Sequence, residues 1–417
     1  MQFEFIHTAD LHLDSPMRGL SRYEGVPEDT MRAATRDAFE RLIDEAIRRQ
    51  VAFIVISGDI ADGGWNDVNT GLFFIKQCGR AAAKDIQVFV IWGNHDADSE
   101  GARKLTMPPG VHVFSSRKAE QVQIPELQVA VTGQSYGKRD VTENLAAGYP
   151  PGKAGWFNVA LLHTALGGYP EHASYAPCDL GTLKALAIDY WALGHVHTRE
   201  IVNRDPWIVF PGNLQGRSIR ETGPRGALVV QVEDGRVLTV ESLEVDVARW
   251  ALANVDVSAA RTLPEVADLT RAALAALLTD LDARPLAVRI NLTGLSPAHG
   301  QLSLDPNGLR DQLRGVAAGL HGGNIWIEQI KLRTSPLASA KNLVDRGDAL
   351  AELQRLLEAS LHDPDLHKAL REEFFNLNKV AAEALDIDAA KPLKEQRWHD
   401  LIQQMSSGLI NALLAGE

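Results

Sequence analysis

Short apolar runs alternate with helically spaced stretches along the first half of the chain, and several of the runs break off in polar, ligand-type residues. Phe3 to Ala9 alternates as a strand and ends in Asp10-Leu11-His12. Thr30 to Gln50 carries Phe39, Leu42, Ile43, Ala46 and Ile47 on one face of a predicted helix, which leads into the run Val51 to Ile56. That second strand breaks into Ser57-Gly58-Asp59. A second helix, Asn69 to Ala83, returns the chain to Val88 to Trp92, which ends in Gly93-Asn94-His95-Asp96. The β-α-β-α-β order predicts a parallel sheet with right-handed crossovers, and near-continuous apolar runs suit strands covered on both faces.

The pattern continues more weakly. Strands are expected at Val111 to Phe114 and Leu127 to Thr132, and Asn158 to Leu162 ends in His163. A helix from Leu180 to Ala187 precedes Tyr190 to Leu193, which ends in Gly194-His195-Val196-His197. Trp207 to Phe210 and Ala227 to Val232 are expected to finish the sheet antiparallel. Near Val247 the character changes. Strand Trp250 to Val257, helix Pro264 to Leu281, strand Ala287 to Leu292, helix Asp305 to Ala318 and strand Ile325 to Leu332 predict an accessory β-α-β-α-β unit without a His and acid cluster. From Ala338 onward the chain reads as charged helix, with stripes at Leu350, Leu353, Leu356 and Leu357, then at Leu401, Met405, Leu409 and Leu413.

Composition narrows the chemistry. The chain has 417 residues, 45% hydrophobic and 23% charged, enough for a full core and two or three domains. Its two cysteines, Cys78 and Cys178, lack CxxC spacing, so a disulfide framework or thiolate metal site is not expected. No signal peptide or membrane-length apolar run is read, and the expected location is cytoplasmic. A formal net charge of −12 argues against coating by nucleic acid through bulk electrostatics, while leaving a local basic groove open.

Collected at one edge of the expected sheet, the strand-end residues are Asp10, His12, Asp59, Asn94, His95, His163, His195 and His197. Each pair alone is a weak motif; their shared position is the argument. Two divalent cations can clamp the attacking and leaving oxygens of an in-line phosphoryl displacement, and a carboxylate can bridge them. Asp59 suits the bridge. Asp10, His12 and His197 would complete one ion; Asn94, His163 and His195 would complete the other. An all nitrogen and oxygen donor set favours Mn²⁺, with Fe²⁺ or Zn²⁺ as alternatives. His95 is placed to stabilise the phosphoryl group or protonate the leaving oxygen, with Asp96 expected to support it.

Taken together, Asp10-x-His12, Gly58-Asp59, Gly93-Asn94-His95-Asp96, His163 and Gly194-His195-x-His197 resemble the calcineurin-like metallophosphoesterase pattern, in order and across residues 1–247. The resemblance implies a β-sandwich flanked by helices, a dinuclear centre at the strand ends and an α/β fold class. Within that family the chain looks like the SbcD-type DNA repair exonucleases, in their YhaO-like branch. The residues carrying this are His12-Leu13-Asp14-Ser15-Pro16, Tyr175-Ala176-Pro177-Cys178, Asp189 to His195, Pro211 to Arg217 and Glu221-Thr222-Gly223. The likeness implies a nuclease domain at 1–247, a small α+β capping domain at 248–335 and a helical C-terminal region at 336–417. It also implies DNA as substrate, an SbcC-like coiled-coil ATPase docking on the C-terminal region, and a homodimer as one possible state.

One position departs from the group. Many of its nucleases carry a histidine three residues after the bridging Asp, tied to exonuclease activity, where this chain has Asp62. Asp62 is therefore read either as a loop or helix-cap acceptor or as a substrate-binding residue, beside Arg217 and Arg220. Arg217, Arg220 and Arg225 are read as a phosphate rim or, equally, as a solvated run. Asp14 is expected to stabilise its loop, His7 to be a satisfied core histidine, and His172 is left open as a neighbour of the metals. Two alternatives to a DNA nuclease stay open: a hydrolase of a smaller phosphodiester or phosphomonoester, and a metal-bearing scaffold for the ATPase.

Overall fold

In the computed structural model, the described residues are 1–15, 28–62, 68–97, 106–167, 175–279, 281, 284–336 and 349–369. The chain divides into two compact units, Met1–Ala251 with Leu281–Val288, and Leu252–Asp280 with Arg289–Glu417.

The first unit opens with β1 (Gln2–Thr8), α1 (Glu28–Arg49), β2 (Phe53–Ser57), α2 (Val68–Ala82), β3 (Gln87–Ile91), the single-turn α3 (Asn94–Ala97) and β4 (Val111–Val113). It continues through β5 (Glu120–Ile124), β6 (Val129–Gly133), β7 (Phe157–His163), α4 (Leu180–Lys184), β8 (Tyr190–Gly194), β9 (Glu200–Arg204), β10 (Trp207–Phe210), β11 (Gly226–Glu233) and β12 (Arg236–Glu244). The strands form two six-stranded sheets, ordered β12-β11-β1-β2-β3-β4 and β5-β6-β7-β8-β10-β9.

Two sheets replace the one expected from the strand pattern and agree with the β-sandwich that the family resemblance implies. Alternate residues explain the division. Phe5, Phe53, Val55, Phe89 and Ile91 of the first sheet share a buried cluster with Val131, Phe157, Val159, Leu161, Tyr190 and Ala192 of the second. Phe5 stacks on Phe53 with ring centroids 4.8 Å apart and meets Tyr190 edge-on at 5.3 Å. The intervening residues Ile54, Ile56, Val88 and Val90 face Phe39, Leu42, Ile43 and Phe74 of α1 and α2. On the second sheet, Ala160, Leu162, Trp191, Leu193, Ile208 and Phe210 pack outward with Leu183 and Tyr149. Each sheet is thus apolar on both faces, the arrangement of a sandwich flanked by helices. Fully burying such a side chain stabilises by about 1.5–3 kcal/mol.

Strands β1 to β4 pair in parallel, as do β6, β7 and β8. β11 closes the first sheet antiparallel to β1, as expected. β10 differs from expectation, running parallel to β8 and antiparallel to β9. The strands that the hydrophobic pattern does not reveal, β5, β9 and β12, all lie at sheet edges, where half-exposed side chains dilute the apolar signal.

In the second unit and its leading strand, β13 (Arg249–Asp256), α5 (Leu263–Leu277), β14 (Leu286–Leu295), α6 (His299–Leu304), α7 (Pro306–Ala318) and β15 (Ile325–Ser335) form a three-stranded sheet in the order β13-β14-β15 with attached helices. Thr262 caps α5 by accepting from the Glu265 amide, and Asp305 caps α7 by accepting from Gly308 N at 2.8 Å. Buried Val266, Thr270 and Leu274 on α5, and Leu309, Leu313 and Val316 on α7, recur at helical spacing. Of the C-terminal stripes, Leu353, Leu356 and Leu357 fall on α8 (Ala349–Ser360), whereas Leu401, Met405, Leu409 and Leu413 lie outside the described residues. No helix among the described residues is long and apolar enough to cross a membrane.

Candidate metal centre

The two sheets converge at the carboxyl ends of their parallel strands. Ser57 Oγ donates to Ala192 O at 2.7 Å, and His7 joins Tyr190 Oη and Leu193 O at 3.0 and 3.1 Å. His7 is accordingly the satisfied core histidine expected. Gly194 comes so close to β2 that a Cβ there would collide with Ser57 O and lie 2.9 Å from His163 Nδ1. Asp10, His12, Asp59, Asn94 and His95 therefore leave one sheet while His163, His195 and His197 leave the other, and all meet in the cleft between.

Local backbone geometry aims them. Asp10 N donates to Gly58 O at 3.0 Å, His12 N to Asp59 O at 3.0 Å and Leu13 N to Ile60 O at 2.8 Å, so the loops after β1 and β2 run side by side. Asp10, His12, Asp59 and His195 all take positive φ (51°, 45°, 53° and 101°). Such backbone costs of order 1–3 kcal/mol per residue and concentrates where function over-determines it. Gly93 is required here: a Cβ would strike Asp59 Oδ1 and approach the Asp59 amide nitrogen to 2.7 Å.

Three donor sets have ligand atoms within 4.8 Å of one another: Asp10, His12 and His197; Asp59, His163 and His195; and His12, Asp62 and His95. Asn94 Oδ1 lies 2.9 Å from His163 Nε2. Asp59 Oδ2 lies 3.5 Å from His163 Nε2 and 4.0 Å from His12 Nε2, so one oxygen faces both of the first two sets.

These groups fit a cation. His163 Nδ1 is 2.8 Å from the Ser57 carbonyl and carries the proton, leaving its Nε2 lone pair directed at two oxygens, Asn94 Oδ1 and Asp59 Oδ2. His197 Nδ1 is likewise committed to Glu221 Oε1 at 2.8 Å, and its Nε2 faces His12 Nε2 at 3.2 Å. Buried lone pairs that converge in this way need positive charge between them. The electrostatics agree. Burial pulls the His163 imidazole down, yet the Asp59 charge and hydrogen bond push it up to about 9, so positive charge between Nε2 and Asp59 is favoured, whether carried by a proton or by a bound cation. Burial pushes the Asp10 carboxyl up to about 6.

Asp62 lies among the donor groups, with His12 and His95. Its Oδ1 lies 3.0 Å from His95 Nδ1, and its Oδ2 accepts from Ser15 Oγ at 2.8 Å and lies 3.7 Å from Arg217 Nη1. The His95 hydrogen bond holds the Asp62 carboxyl well below its ordinary range and raises the His95 imidazole. Asp96 accepts from the amides of Ile60, Ala61 and Gly93 at 3.0–3.1 Å, tying the β2 loop to the β3 loop, and its charge also raises the His95 imidazole, while the hydrogen bond to the His95 ring comes from Asp62.

Arg217 is in the centre and Arg220 is not. Arg217 Nη2 donates to Glu221 Oε1 at 3.2 Å and Nη1 to Ser15 Oγ at 3.3 Å, so the guanidinium spans Glu221 and Asp62. Arg220 is exposed, and among the described residues no ion pair joins it to the cluster. Arg225 donates to His197 O, Asn213 Oδ1 and Thr222 O. Asp14 takes a bidentate bond from Arg36 at 2.6 Å and stabilises its loop. His172 and Pro16 lie outside the described residues. Glu221 enters the sequence reading only through the resemblance and without a site role, because its partner His197 is 24 residues away and no local pattern links them.

Comparison with known proteins supports the class. The model for calcineurin-like phosphoesterases matches residues 3–199, and that for the middle domain of metallophosphoesterase YhaO matches residues 250–335. Metallophosphoesterase YhaO of Bacillus subtilis is 33% identical over 297 residues, covering 70% of this chain and 72% of that protein. The chain belongs to the calcineurin-like metallophosphoesterase family, whose chemistry is metal-dependent hydrolysis of phosphoesters. More distant similarity extends to the DNA double-strand break repair proteins Mre11 of Sulfurisphaera tokodaii and of Methanopyrus kandleri. The first is 24% identical, covering 59% of this chain and 64% of that protein; the second is 25% identical, covering 61% and 59%.

Proposed function

We propose that the protein is a metal-dependent phosphodiesterase that cleaves DNA, working as the nuclease subunit beside a coiled-coil ATPase of the SbcC type. The observation that carries the hydrolytic part is the position of Asp59 Oδ2, which faces His12 and His163 and so both donor sets. In this reading Asp10, His12 and His197 would hold one ion and Asn94, His163 and His195 the other, with Asp59 available to both. The nitrogen and oxygen donors favour Mn²⁺. Two such ions would neutralise phosphate charge and lower the pKa of a bound water towards neutrality.

The chain's own residues do the rest. Asp62 accepts from His95 Nδ1, which leaves Nε2 to donate a proton to the departing oxygen. Glu221 fixes the His197 ring through Nδ1, and Arg217 keeps Glu221 and Asp62 in register. The DNA substrate is supported by the names of the Mre11 relatives. The experiment is direct: with Mn²⁺ and with or without the ATPase, the protein is expected to cleave single- or double-stranded DNA, and absence of cleavage on both sinks the proposal.

A second reading, hydrolysis of a smaller phosphoester, is favoured by the Asp62 carboxylate at the centre and the net charge of −12, both unfavourable to a polyanion. Turnover of cyclic nucleotides, dinucleotides or aryl phosphates with no DNA cleavage would select it.

A further inference from the structure

A cavity of about 220 Å³ opens beside the loop that follows His197, where the segments 211–213 and 222–226 come together. Its walls include Thr198, Arg199, Gly212, Asn213, Thr222 and Arg225. Two guanidiniums line it and no carboxylate does. Its size is below the roughly 300–1,000 Å³ of sites for drug-sized ligands, which points to a small group.

Both cations of the wall keep donor capacity towards the cavity. Arg225 spends both Nη1 hydrogens on His197 O and Asn213 Oδ1 and one Nη2 hydrogen on Thr222 O, leaving two of its five N–H groups uncommitted among the described residues. Arg199 is exposed, and no ion pair involves it among the described residues. The two acids whose charges act on Arg225 also have other partners: Glu221 pairs with His197 and Arg217, and Asp246 with Arg249 at 2.8 Å and Arg284 at 3.5 Å. Desolvation lowers the Arg225 guanidinium, the Glu221 charge raises it, and the Arg199 charge lowers it again, so the two cations feel one another as well as the acid.

The wall is also tied to the metal centre. Arg225 and the Asn213 amide both donate to the carbonyl of His197, and Gly212, at φ +79°, lets the chain pass so near that a Cβ would lie 2.9 Å from that same oxygen. A group seated in the cavity therefore sits one residue from a member of the first donor set.

We propose that the cavity walled by Arg199 and Arg225 is an anion subsite for a phosphate of the substrate other than the one hydrolysed. The inference rests on the reading that the substrate is a polynucleotide, whose phosphates flank the scissile one at regular spacing. Arginine forks suit such groups because their N–H pairs match phosphate oxygens.

The test is equilibrium binding of a fluorescein-labelled single-stranded oligonucleotide to the full chain, read by anisotropy in EDTA. Arg199→Gln is compared with wild type and with Arg204→Gln, which removes the same charge from the far end of β9; circular dichroism checks the fold of each. Arg199→Gln is expected to raise Kd about 5- to 10-fold and to reduce the slope of log K against log[salt] by about 0.7, the value for one lost phosphate contact on a single strand. Arg204→Gln is expected to leave both unchanged. Equal losses in the two variants, or none for Arg199→Gln, overturn the subsite. If wild type binds no oligonucleotide, the polynucleotide reading fails instead. Pyrophosphate in EDTA then decides the cavity: a thermal shift present in wild type and lost in Arg199→Gln keeps it as an anion site, and equal shifts remove it.

Discussion

Asp62 Oδ1 lies 3.0 Å from Nδ1 of His95, so a carboxylate from the loop after β2 buttresses the imidazole that follows β3. The pair is held from behind by Ser15 and Arg217. Its consequence is a division of labour: His95 Nε2 is left for the substrate, and Asp96 is left to lock the backbone.

If the two act as a unit, their effects will not add. His95→Ala is expected to lower kcat on an aryl phosphodiester by about 10²–10⁴. Asp62→Ala is expected to cost about 10- to 100-fold in the wild-type background and little in the His95→Ala background. A double-mutant cycle with metal content held equal checks this; additive losses would show that Asp62 acts elsewhere.

Asp59 faces both donor sets, so its loss is expected to empty both. Elemental analysis of Asp59→Asn after Mn²⁺ loading is expected to show less than one ion where wild type holds two. Loss of one ion alone contradicts the bridging position.

Glu221 bonds to His197 and belongs to none of the three donor sets. Glu221→Gln is therefore expected to weaken metal affinity by about 10- to 100-fold while leaving the fold intact, as carboxylates behind ligating histidines do. Titration of Mn²⁺ by electron paramagnetic resonance reads the change directly.

Gly93→Ala tests the crowding around Asp59 without changing any charge. The added methyl must displace Asp59 or the loop, so activity is expected to fall by at least tenfold while the urea midpoint moves little. An unaffected enzyme would mean that the β2 and β3 loops separate easily.

His7 provides a pH test away from the ions. Burial holds its pKa down at about 3, against 6.5 in the unfolded chain. Between those values the unfolded state binds a proton that the folded state refuses, so stability is fully present above pH 6.5 and is lost as pH falls. At pH 5 the loss is about 2 kcal/mol. Urea unfolding from pH 7 to 5 is expected to show this slope in wild type and a shallower one in His7→Gln.

The sequence by itself determined the residue types of the site and where along the chain they fall. Apolar runs covered on both faces mark β1, β2, β3, β7 and β8, and a polar cluster at the end of a buried strand has few explanations besides chemistry. The edge strands β9 and β12 escaped because their half-exposed residues carry no clear period. Only the tertiary structure decided that the strands belong to two sheets, since alternate residues of Phe53 to Ile56 are equally apolar and do not say which face meets a helix and which a second sheet. Only it assigned Asp62 to His95, Asp96 to backbone amides and Glu221 to His197. Those pairings depend on how far two loops from different strands approach in space, and distances between residues remote in the chain are set by packing rather than by local pattern.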